Sequence, residues 1–245
     1  MKLSVTFNNV EIIEIKIKRD PNTILDYLYV VFKEKNIDID EILKKTNIIK
    51  FKFKNKHNKT IRYNELIFTT EYTFFEINNN RIELIGLLRS AKNVQSFHQY
   101  DIDIFYDWSK GLEYDLIKID DNEFKRQYFF CCFLWNFGSY RLNCNKNLSI
   151  DCSNIKSDYD FYYLLGKTLF GDRGYLGSNL DSLEDSVIDF VIDNENLDLK
   201  SYTISFFNFG LLEDYLDINA LKLILGKTKM NLIFSLNASP LSEVF

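Results

Sequence analysis

With 245 residues the chain is long enough for two ordinary domains, and its 46% hydrophobic and 16% aromatic content excludes a disordered polypeptide. The formal net charge of -5 is unevenly shared: residues 146–245 hold 8 Lys+Arg against 15 Asp+Glu, and residues 1–145 hold 22 against 20. An acidic second half repels nucleic acid and anionic membrane and attracts a basic partner, so neither direct nucleic-acid binding nor membrane binding is expected.

The N-terminus, MKLSVTFNNVEIIEIKIK, alternates polar and apolar residues about Asn8 and Asn9 and predicts a hairpin of strands over residues 3–7 and 10–18. It has no basic head followed by an apolar block and small residues, so no secretory signal is expected and the predicted location is cytoplasmic. Asp20 followed by Pro21 has the form of a helix start and predicts a helix to about residue 34, burying Ile24, Leu25, Leu28, Val31 and Phe32. A second helical piece is expected over 40–45. Strict alternation predicts a strand at 48–53, and residues 65–77 and 81–88 form a second hairpin across Asn78, Asn79 and Asn80. Residues 101–106 (DIDIFY) and 115–119 (DLIKI) are further strand candidates, while 124–137 fits either state. Residues 1–145 thus read as an α+β domain rich in antiparallel sheet. Its basic stretch at 50–59 is the exposed face of a hairpin, since Phe51 and Phe53 alternate inward. The apolar run at 128–135 falls far short of the roughly 18 to 20 residues that span a bilayer.

After Asn145 the rhythm becomes strand, helix, helix, strand, helix, strand. Residues 148–152 make a short strand, Ser157 opens a helix, and the Gly-rich segment GDRGYLGSN follows. Asn179 caps the next helix, which carries Leu180, Leu183, Val187, Ile188 and Val191 at helical spacing. Residues 201–207 and 231–236 are strands, with helix near 211–225 between them. Strands joined through helices imply right-handed crossovers and a small, three-stranded, mostly parallel sheet, hence an α/β domain over 146–245.

On the helix after Asn179, Asp181, Asp185 and Asp189 lie at i, i+4 and i+8 with Glu184 beside them, and all four carboxylates are expected to face solvent. No Lys or Arg lies between residues 174 and 199 to offset the repulsion, so folding gains nothing from the row. A solvated helix face is one reading. Such faces usually mix signs, and the single sign favours a recognition surface for a cationic partner. Gly177 reads either as a turn glycine or as a point of close backbone approach to that partner. Tyr175 reads either as a half-buried core residue or as a low-entropy anchor.

The stretch Tyr175-Leu-Gly-Ser-Asn-Leu-Asp-Ser-Leu-Glu-Asp185 resembles the signature of the barstar family, in which an aromatic, a Gly, an Asn-Leu-Asp and a second Asp open an acidic helix. The likeness covers about residues 148–236 and includes the order of elements. It implies a barstar-like fold and an immunity protein whose loop and acidic helix plug the active site of a ribonuclease toxin. On that likeness the partner-binding role falls to Tyr175, Gly177, Asn179, Asp181 and Asp185, and Leu176, Glu184 and Asp189, beside them in the loop and the acidic row, complete the candidate surface. Leu176 and Glu184 depart from the family pattern, where an aromatic and a Trp are common, so the target need not resemble the family's best-known one, while the acidic mode of binding is kept. The alternative is an acidic adaptor for a basic partner that is not a toxin.

Catalytic chemistry has little to build on. His57 and His98 sit at no metal-ligand spacing, and Cys131, Cys132, Cys144 and Cys152 lack the spacing of a zinc site and are too few for a disulfide framework. No nucleophile elbow, phosphate loop, dinucleotide fingerprint or H-E-x-x-H occurs. Asp181 and Asp185 on an exposed helix lack the cleft that acid–base or Mg²⁺ chemistry needs. No catalytic residue, metal or cofactor is therefore expected.

Overall fold

The computed structural model describes residues 12–19, 26–33, 48–54, 60–78, 81–90, 98–136, 140, 142 and 145–236. They fall in two compact units, Met1–Gly111 and Leu112–Phe245.

In the first unit the strands β1 (Ile12–Arg19), β2 (Asp26–Lys33), β3 (Ile48–Lys54), β4 (Thr60–Asn78) and β5 (Arg81–Ser90) lie in the order β1-β2-β5-β4-β3, and helix α1 (Gln99–Ser109) follows. Each neighbouring pair runs antiparallel. The helix expected from Pro21 is replaced by β2, whose Val31 pairs with Glu14 on one side and Glu83 on the other. Tyr27, Tyr29, Val30, Val31 and Phe32 are the aromatic and β-branched types that suit a strand with neighbours on both sides. Residues 3–7 and 40–45 lie outside the described residues. Residues 101–106, expected as a strand, belong to α1: Asp101, Ile102, Ile104, Phe105 and Trp108 are buried at helical spacing. His98 is the N-cap of that helix, its Nδ1 accepting from the Tyr100 N–H at 3.2 Å while Asp101 accepts from the His98 N–H at 3.2 Å.

The second unit holds α2 (Asn122–Asn136), β6 (Asn147–Asp151), α3 (Asp158–Phe170), α4 (Leu180–Asp193), β7 (Thr203–Phe207), α5 (Ile218–Gly226) and β8 (Asn231–Phe234). It is an α/β unit, with a parallel sheet in the order β6-β7-β8 that aligns Leu148 with Ile204 and Leu232, and Ile150 with Phe206 and Phe234. Residues 116–118, expected as part of a strand, form one 3-10 turn instead. Alternate residues Leu148, Ile150, Ile204 and Phe206 are buried. The Phe206 ring stacks on Phe161 of α3 and on Phe234 of β8, with centroids 6.4 and 5.2 Å apart.

The unit begins at Leu112, earlier than the sequence boundary at 146, because α2 is bound to α3. Lys125 of α2 donates to Asp160 of α3 at 2.6 Å, and their side chains are 5% and 0% exposed. Asp160 also accepts from the Lys156 N–H at 2.9 Å. Tyr128 of α2 meets Tyr163 of α3 edge-on at 6.1 Å, and the Tyr163 hydroxyl donates to the Tyr114 carbonyl at 3.0 Å. Removing one member of a buried ion pair costs about 3–5 kcal/mol, so α2 is not an optional neighbour of the sheet. No helix among the described residues is long and apolar enough to cross a membrane.

Candidate functional site

The segment between α3 and α4 is fixed by its own backbone before any side chain is considered. Gly171 ends α3 with φ 83°, and Arg173 follows in the left-handed region at φ 61°, which costs a non-glycine residue about 1 kcal/mol or more. Gly174 lies against Gly166 of α3 so closely that a Cβ on Gly174 would stand 2.1 Å from the Gly166 carbonyl oxygen. At Gly177, φ is 111° and a Cβ would stand 2.5 Å from the backbone nitrogen of Leu183. The close approach of Gly177 is to the first turn of α4.

Tyr175 is buried, its ring edge-on to Phe133 at 5.5 Å and to Phe129 at 6.5 Å, both from α2. Burial pushes its phenol up, partly countered by hydrogen bonds with the side chains of Ser182 and Ser178. Leu176 is 1% exposed. The expectation that Leu176 offers its side chain to a partner is corrected, because that side chain belongs to the core.

Asn179 caps α4. Its Oδ1 accepts from the Ser182 N–H at 2.8 Å, and the Ser182 hydroxyl accepts from the N–H groups of Asn179 at 3.1 Å and Ser178 at 2.8 Å. The reciprocal partner Ser182 was not singled out from the sequence, although its place three residues after Asn179 is the spacing of a capping box. At the other end Asn194 donates to the carbonyls of Phe190 and Tyr140, each at 2.8 Å.

Along α4, Leu183, Val187 and Phe190 are buried, and Asp181, Asp185 and Asp189 are exposed on the far side. Two residues alter the expected face. Ile188, assigned to the buried stripe, is 50% exposed, and Ile192 is 61% exposed. At about 100° per residue, Ile188 falls well away from the line through Leu183, Val187 and Phe190 and joins Asp181 and Asp185 instead. The outer face is therefore acidic and aliphatic together. Glu184 is half-exposed and forms an ion pair with Lys227, just after α5. The cation that offsets it comes from 43 residues along the chain, beyond any local count of charge.

The loop has a second set of attachments, to Glu113 and to the end of α2. The Arg173 guanidinium bonds both oxygens of Glu113, through Nε at 3.1 Å and through Nη2, and lies 4.5 Å from the centre of the Trp135 ring. The Arg173 carbonyl accepts from the Asn136 side chain. None of Glu113, Trp135 and Asn136 was a candidate in the sequence.

Among the described residues no group of three or more His, Cys, Asp or Glu is placed to hold a metal ion. Cys131, Cys132 and Cys152 are buried, and burial together with Asp151 pushes the Cys152 thiol up to about 12. Cys144 and His57 lie outside the described residues.

Compared with protein-family models, curated proteins and solved structures, the chain matches none of them.

Proposed function

We propose that this chain is an immunity protein of the barstar-like kind, which binds a cytotoxic nuclease, a ribonuclease in the first instance, and blocks its active site with α4. The observation that carries the reading is the one-sided row of exposed Asp181, Asp185 and Asp189 on a helix capped by Asn179 and preceded by a firmly attached loop. Carboxylates four residues apart on a helix are spaced about 6 Å, close to the spacing of successive phosphates, so the row suits a cleft built for a nucleic-acid backbone. It also steers a basic partner by long-range attraction. The reading assigns partner contact to Asn179, Asp181, Asp185 and Asp189, and gives Tyr175, Leu176 and Gly177 the task of shaping the loop. It assigns no catalytic residue or cofactor, places the protein in the cytoplasm, and sets the barstar-like segment at about 148–236 inside the compact unit Leu112–Phe245, with the sheet-rich residues before it as a companion.

A second reading, an adaptor for a basic protein that is not a toxin, is favoured by Ile188 and Ile192, since exposed isoleucines have no counterpart in a phosphate row.

The test is to purify the full chain with its bound nuclease from the native host and to titrate it into that nuclease while following RNA cleavage. Stoichiometric loss of cleavage is expected. Asp185→Lys should weaken it by about 2–5 kcal/mol for a buried charge contact, with circular dichroism unchanged. Undiminished cleavage rejects the reading, and a co-purifying basic protein without nuclease activity selects the adaptor.

A further inference from the structure

Arg173 combines three features rarely found in an ordinary loop residue. Its backbone is left-handed without being glycine, its side chain is only 12% exposed, and its guanidinium is held by a carboxylate and an aromatic face at once. A two-pronged Arg–carboxylate contact fixes direction as well as distance, which a single point contact does not. The carbonyl of the same residue is fixed by Asn136, so backbone and side chain are both tied to residues before 137. Two residues later, Tyr175 rests on Phe129 and Phe133 of α2. The path from Arg173 to the cap of α4 is then only six residues, and its Ser178 and Asn179 N–H groups are already bonded to Ser182.

We propose that Glu113 is a positioning residue for the recognition surface: by gripping Arg173 against Trp135 it holds the 173–179 loop, and with it the start of α4, in one conformation before a partner arrives. In its functional meaning the inference rests on α4 being the binding surface, and a loop ordered in advance spares a partner the cost of ordering it. The pair also turns inward the one cation between residues 168 and 199, where an outward charge would oppose a basic partner.

The experiment is amide hydrogen exchange on the full chain, wild type against Glu113→Gln, Glu113→Asp, Arg173→Lys and Arg173→Gly. Exchange at the Gly174, Ser178 and Asn179 amides should rise about tenfold or more in Glu113→Gln, equal to about 1.4 kcal/mol of local opening. Exchange in β7 and α3 and the melting temperature should hold. Glu113→Asp keeps the charge and should recover part of the protection. Arg173→Lys, which loses the fork, should match Glu113→Gln, and Arg173→Gly, which relaxes the backbone, should still lose protection. Unchanged loop exchange in Glu113→Gln overturns the proposal. So does a parallel rise in loop and core with a lower melting temperature, since the pair would then be a general contact of the fold. No arm requires a partner, so failure to inhibit a nuclease would leave this result standing, and failure here would leave the inhibition test standing.

Discussion

Asp151 illustrates what a single side chain does at the carboxyl end of the sheet. It ends β6, and its Oδ1 accepts from the Asn208 side chain at 2.8 Å and from the Ser153 N–H at 3.0 Å. Burial by itself raises its pKa, but these bonds favour the charged form and hold the carboxyl below its ordinary value. A carboxyl whose folded pKa is depressed contributes stability above its unfolded value of about 3.9, and that contribution is lost as pH falls through the folded value. Asn208 has φ 54°, so Asn208→Gly removes the bond without straining the backbone. The melting-temperature difference between wild type and Asn208→Gly should be full at neutral pH and shrink as the solution is acidified below about pH 4. A difference that stays constant down to pH 3 would mean that the bond does not favour the ionised carboxyl.

At the scale of elements, α4 is anchored by contacts the loop makes with its first turn. Gly177→Ala would put a Cβ against Leu183 backbone in a conformation that side chains rarely adopt, and should destabilise the protein by about 2 kcal/mol or more. Urea unfolding with an unchanged slope measures it, and a loss under about 0.5 kcal/mol would show that the loop yields easily. The same elements show what a sequence can disclose. Asn179 as a cap and the row Asp181, Asp185, Asp189 are periodic, local signals, and the helix follows them. Burial of Leu176, the Glu184–Lys227 pair and the Arg173–Glu113 grip join residues far apart in sequence, so no window along the chain contains them. The errors in the first unit have a different cause. Asp20-Pro21 carries a sound helix-start signal, but the aromatic and β-branched run beyond it is taken up by two neighbouring strands. DIDIFY alternates over six residues, too few to separate a period of 2 from one of 3.6, and the His98–Asp101 cap was the discriminating feature.

For the whole molecule, the change of rhythm at 145 correctly signalled the parallel sheet but not the extent of the compact unit. A break between domains falls where few contacts cross it, and the contacts of α2 with α3, a buried ion pair and the Tyr128–Tyr163 ring contact, span residue 145. Residues 112–245 produced alone should unfold in one cooperative transition, whereas 146–245 should not. The shorter piece loses the Lys125–Asp160 pair and uncovers the face of α3 on which α2 packs, a loss of about 3–5 kcal/mol for the pair alone against the roughly 5–15 kcal/mol typical of a domain. Thermal unfolding followed by circular dichroism distinguishes them, and equal transitions for the two pieces would remove α2 from the unit.

The Lys125–Asp160 pair bears in turn on how such a domain can travel between proteins. A segment copied from Leu112 onward carries both halves of the lock, and can be joined to a new N-terminal partner without redesigning its interior. One copied from the start of the sheet carries a keyhole without its key, and its host must supply a cation from elsewhere or refill the site with an apolar side chain.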